Sequence, residues 1–411
     1  MKSKTKLSTR HFILIFIFLA TLLSSLYFIF ATNTLSSDEA YFHLRVASEI
    51  SKRGYASFFD ELSYGGRIQY YPVLFDYILA FFMLFLDPIL VLKLIPAIIM
   101  SSIVFIVYLL SKYLSQDVRS ALFCAALSGF IPLVFREILN KVSVYSLVLP
   151  LVFWYIYFFL RIKEHKKYLF WFIAFSFLLP LTSPSAFLIV IAMVFYVIFL
   201  TIESFKMSNI RKEGLIFSMF LILLIEFIIY KKAFLELGFN IVYQNLPKEI
   251  LNQYFTNINL IYFLYSAGIL SIVLGAFGIY YTLFVSRKSN IFFISALILS
   301  IFLLLILKLI NINSGLLFVG ISFCILSSIS VAYFIVYIEK SKFAKFKRPI
   351  FILIFAIFIF TGVLPSLNEA KTAVKQSYDL NTIEALEWIL NNTPENSTIL
   401  AAPEEGHLVT A

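Results

Sequence analysis

Residues 11–31 of this chain read HFILIFIFLATLLSSLYFIFA, and residues 36–54 follow with SSDEAYFHLRVASEISKRG. The first stretch is an apolar run of the length that a helix needs to cross the hydrocarbon core of a bilayer. Similar runs recur along nearly all of the 411 residues, of which 61% are hydrophobic and only 14% charged. An ordinary globular domain carries about 25% charged residues. The sequence therefore predicts an all-α polytopic membrane protein.

Eleven apolar segments are candidate membrane spans. They are residues 11–31, 89–110, 119–136, 142–160, 168–182, 184–203, 213–231, 259–285, 291–310, 315–338 and 349–366. We expect the first segment to be retained as a span, because it is longer than a signal-peptide core and lacks a convincing small-residue cleavage site. The segment 71–86, YPVLFDYILAFFMLFL, is also apolar but is short for a crossing.

The distribution of basic residues decides whether the segment 71–86 crosses the membrane. If it does not cross, 20 of the 33 Lys and Arg residues share one side with the N-terminus, as residues of cytoplasmic loops do. If it does cross, every later basic loop moves to the opposite side. We therefore predict 11 spans in the cell membrane, a cytoplasmic N-terminus, an extracytoplasmic C-terminus and an interfacial helix at 71–86. The net charge of +10 resides in these short loops, so it does not indicate a nucleic-acid partner.

The predicted topology gathers the polar segments on the outer face. Residues 1–366 are expected to form the transmembrane domain, with a first outer loop at 32–70. Residues 367–411 form a short extracytoplasmic tail, which is too short to fold alone and is typical of the start of a larger soluble domain. Three charges inside spans fall near the outer ends, namely Lys93, Glu226 and Lys308. Such groups usually face a polar cavity, although snorkelling to the interface explains each of them equally well.

The opening of the first outer loop concentrates the charge. Ser36 and Glu39 have capping-box spacing, which predicts a helix that begins near Ser37. Glu39 and His43 lie one turn apart, and Asp38 lies at the helix start. A carboxylate held there beside a lipid headgroup could deprotonate an acceptor hydroxyl, or hold a divalent metal against a phosphate. The alternative is a carboxylate that only caps a helix, with His43 as part of an amphipathic surface.

The order of these motifs resembles the GT-C superfamily of membrane glycosyltransferases. The protein O-mannosyltransferase and aminoarabinose-transferase branch has motifs similar to DEA and ASEI, which lie within 37–54, and to YYP, which lies within 62–82. DEAYFHLR and SYGGR are similar to the archaeal oligosaccharyltransferase catalytic subunit. In both branches a carboxylate of the first loop acts as metal ligand or general base, and the matching position is Asp38, with Glu39 second. The resemblance thus implies catalytic roles for both residues, and a divalent metal, Mg²⁺ or Mn²⁺, at Asp38.

Two motifs depart from the oligosaccharyltransferase pattern. Pro132 and Arg136 are kept, but the acidic pair expected near Ser143 and Tyr145 is missing. APEEG stands where the family has Trp-Trp-Asp-Tyr-Gly, so Glu404 occupies the Asp position and both Trp are gone. These Trp and Asp residues recognise the Asn-x-Ser/Thr acceptor in the family. Their loss argues against protein N-glycosylation. A polyprenyl-linked donor still agrees with the sequence.

Cations of the outer segments are candidates for binding the substrate phosphate. Arg136 and Lys141 flank an outer turn and would clamp the phosphate of a lipid-linked sugar, since Arg makes bidentate contacts to phosphate. Arg67, in SYGGRIQYYP, has the same interpretation, and His43 would assist. For Arg67, Arg136 and Lys141 the alternative is anchoring to lipid headgroups.

Acidic residues later in the chain are candidates for contacts near the acceptor. In the outer segment 232–258, Glu249 is preferred over Glu236 for the loop glutamate that oligosaccharyltransferases use, a match by location alone. Glu404, with Glu405 and His407, would close over the site from the tail. The alternative for each is a solvated loop or turn.

Together these features predict an inverting glycosyltransferase embedded in the membrane. It would move a sugar or oligosaccharide from a polyprenyl- or dolichyl-phosphate carrier to a protein or lipid-glycan acceptor on the outer face. The first alternative is a lipid-sugar flippase or other transporter, for which internal repeats and charges near the bilayer midplane are typical. No clear repeat is present, and the charges crowd to one side. The second alternative is a catalytically inactive relative, for which the missing acidic pair argues.

Overall fold

The computed structural model describes residues 2–63, 65–238, 259–286, 289–394, 397–402 and 405–411. Within them the protein is helical apart from one two-stranded hairpin, which confirms the predicted all-α class. The helices of the first half are α1 (Lys2–Ile29), α2 (Asp38–Arg53), α3 (Leu74–Met83), α4 (Pro88–Ser101), α5 (Ile103–Ser115), α6 (Val118–Gly129), α7 (Pro132–Glu137), α8 (Tyr145–Arg161), α9 (Lys166–Leu178) and α10 (Ala186–Ile202). The second half contains α11 (Asn209–Leu237), α12 (Leu260–Ala267), α13 (Ile269–Tyr281), α14 (Phe292–Ile306), α15 (Ile312–Lys340), α16 (Lys347–Phe358), α17 (Leu364–Lys375), α18 (Leu380–Asn392) and α19 (Gly406–Thr410).

Short elements complete the chain between these helices. The hairpin pairs β1 (Phe59–Asp60) with β2 (Arg67–Ile68) in antiparallel fashion inside the first outer loop. Single π-helical turns follow α13 at Thr282–Ser286 and follow α16 at Ile359–Val363. Short 3₁₀ turns precede α14 and α16, at Ser289–Ile291 and Lys342–Phe346.

Eight helical segments of the described residues are long and apolar enough to cross a membrane. They are Thr9–Ile29, Pro88–Ser115, Val118–Glu137, Asn209–Glu236, Ile269–Ser286, Ser289–Ile306, Ile312–Lys340 and Lys342–Asn392. The protein is therefore a multi-pass membrane protein. The predicted count of 11 spans is not confirmed, because α8, α9 and α10, which cover three predicted spans, have only 17, 13 and 17 residues.

Helix α3 occupies the segment whose crossing decides the topology. It has 10 residues, so at about 1.5 Å per residue it reaches only half of a hydrocarbon core about 30 Å thick. Its start is fixed from outside the helix, because the Leu74 N–H donates to the carbonyl oxygen of Leu181 (3.1 Å). Helix α3 packs against α2 and α4. A helix of this length is too short to span the bilayer by itself, which agrees with the interfacial helix predicted at 71–86.

Two glycines of α13 allow this helix to pack closely against α15 in the core of the bundle. A Cβ atom at Gly278 would lie 2.4 Å from the carbonyl oxygen of Leu326, and one at Gly275 would lie 2.8 Å from that of Phe323. Neither distance is compatible with a side chain, so the two backbones touch directly. Small residues at such crossings are the usual means of packing helices in a membrane, where no hydrophobic force drives them together.

The C-terminal segment rests on the first outer loop. Helix α17 runs through the predicted domain boundary at 366/367 and packs against α7 and α1, burying Ala370 and Ala373. At the end of the chain, Leu408 of α19 is 6% exposed and belongs to the same apolar cluster as Ala40 of α2. The described tail and the first outer loop therefore form one surface above the bundle.

Candidate functional site

The start of α2 is anchored to the turn that follows α7. Ser37 is the N-cap: its hydroxyl accepts the Ala40 N–H (3.1 Å) and donates to the carbonyl oxygen of Lys141 (2.9 Å). The Ser36 N–H donates to the carbonyl oxygen of Asn140 (3.1 Å). The helix begins where the sequence predicts, but the capping box with Ser36 does not form, because Ser37 takes the capping position. Residues 38–43 are thereby held against residues 140–141.

Asp38 is engaged by the tail. Its Oδ1 accepts the backbone N–H groups of His407 (2.7 Å) and Leu408 (2.8 Å), both in α19. The His407 ring packs on that of Phe42, with centroids 4.9 Å apart, and burial lowers the pKa of His407 although Asp38 opposes this. Asp38 thus caps a helix, as the structural alternative predicts, but the helix belongs to the tail. The neighbouring Glu39 side chain is 53% exposed.

Shortening Leu408 is expected to release α19 from α2. Leu408→Ala removes a side chain that is buried against α2, and such truncations cost about 2–5 kcal/mol of packing. The amides of residues 407 and 408, which donate to Asp38, should then exchange with solvent faster, as measured by hydrogen–deuterium exchange mass spectrometry. Leu400→Ala is the matched control, since Leu400 is 99% exposed. Unchanged exchange in Leu408→Ala would contradict the docking of the tail.

His43 is buried between α2 and α3. Its side chain pairs with Asp76, Nδ1 lying 2.5 Å from Oδ1, while Nε2 lies 3.8 Å from Oε1 of Glu39. Burial alone would lower the pKa of His43, but Asp76 and Glu39 together raise it to about 10. His43 is 4% exposed and its ring edges meet Phe42 and Phe75. The side chain therefore does not line a substrate surface as predicted, because the carboxylate of Asp76 holds it inside.

Asp76 is a site residue that sequence reasoning missed. It is the single acidic residue of the apolar segment 71–86, and a lone carboxylate in such a run is the signal that could have revealed it. In the structure it is completely buried, in the first turn of α3. A helix N-terminus stabilises a carboxylate there.

Arg136 and Lys141 meet around Glu137 at the end of α7. Lys141 Nζ lies 3.2 Å from Oε2 of Glu137, and Arg136 Nε lies 3.7 Å from its Oε1. Arg136 Nη1 also lies 3.9 Å from Glu369 of α17. Both Arg136 contacts are longer than a hydrogen bond, so they orient the guanidinium without using up its donors. The structure brings the two predicted cations together, with Glu137 between them.

The Glu137 cluster extends onto the neighbouring helices. Asn313 of α15 donates its amide to Oε1 of Glu137 (2.8 Å) and accepts the hydroxyl of Tyr262 (2.7 Å). The Arg136 guanidinium lies 5.8 Å from the centre of the Tyr262 ring. Glu137 and Asn313 were not singled out from the sequence, where nothing separates them from ordinary helix-end residues. Together these contacts fix the end of α7 relative to α12 and α15.

The hairpin of the first outer loop lies beside the tail. The two Nη atoms of Arg45, in α2, donate to the carboxylate of Asp60 (3.1 and 3.0 Å). Arg67, an exposed residue of β2, helps to lower the pKa of His407. Tyr70 donates its hydroxyl to Oε2 of Glu236 at the end of α11 (3.0 Å). Glu236 therefore reaches the first outer loop. Glu249 and Glu404 lie outside the described residues.

Of the charges inside the predicted spans, Lys93 has partners on a neighbouring helix end. Lys93 is buried and its Nζ donates to the carbonyl oxygens of Ile29 (3.4 Å) and Thr32, which closes the end of α1. A cavity of about 430 Å³ opens between residues 31–34 and 374–380, and it is lined neither by Lys93, Glu226 or Lys308 nor by the candidate catalytic residues.

A divalent metal has few ligands here. Among the described residues no group of three or more His, Cys, Asp and Glu side chains is arranged to hold a metal ion. One oxygen of Asp38 already accepts two N–H groups. Mg²⁺ and Mn²⁺ prefer several oxygen ligands. The divalent metal that the resemblance implies at Asp38 therefore stays a prediction, for which the described residues alone do not supply a complete set of ligands.

Comparison with solved structures identifies the fold. The oligosaccharyltransferase of Archaeoglobus fulgidus, tethered with an acceptor peptide containing the NVT sequon, matches with a TM-score of 0.70 and 14% identity over 96% of this chain and 62% of that one. The same enzyme in complex with Zn and sulfate matches with a TM-score of 0.63 and 16% identity, over 96% and 61%. ArnT from Cupriavidus metallidurans, bound to undecaprenyl phosphate, matches with a TM-score of 0.52 and 11% identity, over 99% and 84%.

No protein-family model matches the sequence, and no curated protein is similar to it in sequence. The chain spans a little under two thirds of the length of the archaeal enzyme. The similarity nevertheless covers nearly the whole of this chain, on both branches that the motifs of the first loop resemble. The protein has the GT-C fold of membrane glycosyltransferases.

Proposed function

We propose that this protein is an integral-membrane glycosyltransferase that moves a sugar or oligosaccharide from a polyprenyl-phosphate-type lipid to an acceptor at the outer membrane surface. One observation carries the proposal. Ser37, which precedes Asp38 and Glu39, donates a hydrogen bond to the carbonyl oxygen of Lys141, in the turn that follows Arg136 and α7. Two segments that are hydrogen-bonded to each other thus bear carboxylates that would serve as a base for the acceptor and cations that would bind a phosphate.

The carboxylates would act on the acceptor. An acceptor hydroxyl or amide attacks the anomeric carbon, its proton passes to Asp38, and the bond between that carbon and the phosphate oxygen breaks with inversion. Positioned bases of this kind contribute about 10²–10⁴-fold to rate. Glu39, with its exposed side chain next to Asp38, would assist. The tail must move off Asp38 for the acceptor to enter, since α19 now occupies Oδ1.

The cations would stabilise the departing phosphate. Arg136 makes only long contacts to Glu137 and Glu369, so its N–H donors can turn to a phosphate. Lys141 would exchange its partner Glu137 for the leaving group. Arg67, exposed on the hairpin, would contact the same donor from the side of the tail. Glu249 and Glu404 would face the acceptor, as the resemblance implies. Fixed cations aimed at the developing charge are the electrostatic part of catalysis.

The donor and acceptor classes are supported by the structural neighbours. One neighbour was solved with undecaprenyl phosphate and another with an acceptor peptide, so a polyprenyl carrier and a protein or lipid-glycan acceptor are the partners proposed here. A neighbour was also solved with Zn and sulfate. No group of three metal-binding side chains lies among the described residues, so the proposed transfer uses protein side chains alone. Transfer in the presence of Mg²⁺, Mn²⁺ or EDTA measures any dependence on a divalent metal.

The test is transfer by the purified full chain in liposomes. Synthetic polyprenyl-phosphate and polyprenyl-diphosphate sugars carrying a radioactive sugar are supplied with peptide and lipid acceptors, with Mg²⁺, Mn²⁺ or EDTA. We expect release of the polyprenyl phosphate together with labelled acceptor. Movement of the intact labelled lipid between leaflets without bond cleavage would favour a flippase instead. Binding of the donor without either event would favour an inactive relative.

A further inference from the structure

The ion pair between His43 and Asp76 has no part in the transfer steps above. It lies one helical turn below the exposed carboxylate of Glu39, and Glu39 is the neighbour of Asp38 in α2. We propose that Asp76 and His43 are positioning residues, which orient the Glu39 side chain beside Asp38 by means of an imidazole that carries a proton on both nitrogens. This inference rests on the proposed function, because it assigns the pair to the same site.

The geometry places the imidazole between two carboxylates. His43 Nδ1 lies 2.5 Å from Asp76 Oδ1, so Nδ1–H donates to Asp76. Nε2 then points toward Oε1 of Glu39, 3.8 Å away, and makes no closer polar contact among the described residues. A neutral imidazole would present a bare lone pair to Glu39 and repel it. An imidazolium presents a proton and attracts it.

The surroundings keep the imidazole charged. Asp76 has no exposed surface and lies in the first turn of α3, at the end of the helix dipole that attracts negative charge. Phe75 and Leu79 are also fully buried next to it, and a low local dielectric strengthens the attraction between the pair. Asp76 from α3 and Glu39 from α2 are the charged groups that act on His43, and they raise its pKa to about 10.

Stability alone does not explain a buried ion pair at this place. Removing two charges from water is costly, and apolar residues of similar size are often as stabilising or more so. The apolar faces of α2 and α3 already pack on each other without the pair, through Ala40, Ala47 and Leu79. The pair has no net charge, but the imidazole Nε2 faces Glu39 while Asp76 lies against Nδ1, so the positive end of the pair is directed at the Glu39 carboxylate.

The first measurement is the titration of His43. Nitrogen-15 NMR of histidine-labelled protein in nanodiscs is feasible because the chain has only 4 His residues, and His43→Gln identifies the signal. We expect the wild-type imidazole to stay charged up to a pH of about 9–10. In Asp76→Asn the anion is lost while the shape is kept, so burial should leave His43 neutral at about pH 7.5. A wild-type His43 that titrates near its ordinary pKa would overturn the inference.

The second measurement is the pH profile of transfer. Asp76→Asn should lower kcat about 10–100-fold at about pH 7.5, with little change in the KM for the donor, as expected when a supporting residue is lost. Activity should recover as the pH falls to about 6, where the imidazole regains its proton. His43→Gln should lose activity to the same degree without recovery. Glu49→Gln, at the exposed end of α2, is the control and should behave as wild type.

The outcomes separate the inference from the proposed function. If Asp76→Asn loses activity equally at every pH, the role of Asp76 is merely structural and the inference is overturned. Full activity in Asp76→Asn with a neutral His43 overturns it as well. Thermal unfolding of each variant identifies loss through misfolding, and in that case His43→Gln decides alone. A wild-type chain that transfers no sugar overturns the proposed function, and the positioning role with it, even if His43 titrates as expected.

Discussion

Asp38→Asn is expected to remove nearly all transfer activity while the protein keeps its fold. The amide oxygen of Asn has the position of Oδ1 and can still accept the N–H groups of His407 and Leu408. The substitution removes only the charge and the basicity, so the acceptor loses the group that takes its proton. The loss of a positioned base is expected to lower kcat by about 10²–10⁴-fold. The measurement is initial rate with labelled polyprenyl-linked sugar in liposomes.

Two readouts make this result specific. The amides of residues 407 and 408 should keep their protection from hydrogen exchange in Asp38→Asn, because the hydrogen bonds persist. Glu49→Gln neutralises another carboxylate of the same helix, one that pairs with Arg53 at the surface, and should retain wild-type rates. An Asp38→Asn protein with full activity would rule out Asp38 as the base and would leave it a capping residue of the tail.

The membrane fold could be predicted because it follows from local composition. Apolar runs of membrane-spanning length specify the helices, and the excess of basic residues in alternate loops indicated that 71–86 does not cross. Helix α3 has the short length that this requires. The count of 11 spans went further than length supports, because α8, α9 and α10 are each shorter than the span predicted for them. Apolarity marks candidate segments, whereas turns such as that at 179–185 set where a helix stops.

The candidate site could be predicted only in part, because its geometry depends on contacts across the chain. Asp38 was recognisable from its place after the first span, and the predicted helix start is correct. Its partners could not be found by spacing, since they lie 369 and 370 residues away in the tail. The role of His43 was misjudged for the same reason. Its partner Asp76 lies in the apolar segment 71–86, and a single carboxylate there does not change the hydrophobic pattern of that segment.

Asn140→Ala is expected to destabilise the protein and to loosen the first outer loop from the tail. The Asn140 amide nitrogen has two hydrogens to share among three acceptors, Thr32 Oγ1 (3.0 Å), the carbonyl oxygen of Thr34 (2.9 Å) and Ser377 Oγ (3.1 Å). Each hydrogen bond contributes about 0.5–1.5 kcal/mol net. Asn140 also has a left-handed backbone with φ of 62°, which costs a residue such as Ala about 1–2 kcal/mol. Two hydrogen bonds and the backbone strain together give an expected loss of about 2–5 kcal/mol.

Asn140→Gly and Ser377→Ala divide this loss into its causes. Gly adopts the left-handed backbone freely, so the difference between the Ala and Gly variants reports strain, while Ser377→Ala removes one acceptor alone. The measurement is the thermal unfolding midpoint in detergent, which should fall most for Asn140→Ala and least for Ser377→Ala. Transfer activity should fall together with the unfolding midpoint, because the Asn140 carbonyl oxygen accepts the N–H of Ser36 at the entry to α2. Wild-type stability and activity in Asn140→Ala would mean that α2, and Asp38 with it, is positioned without this turn.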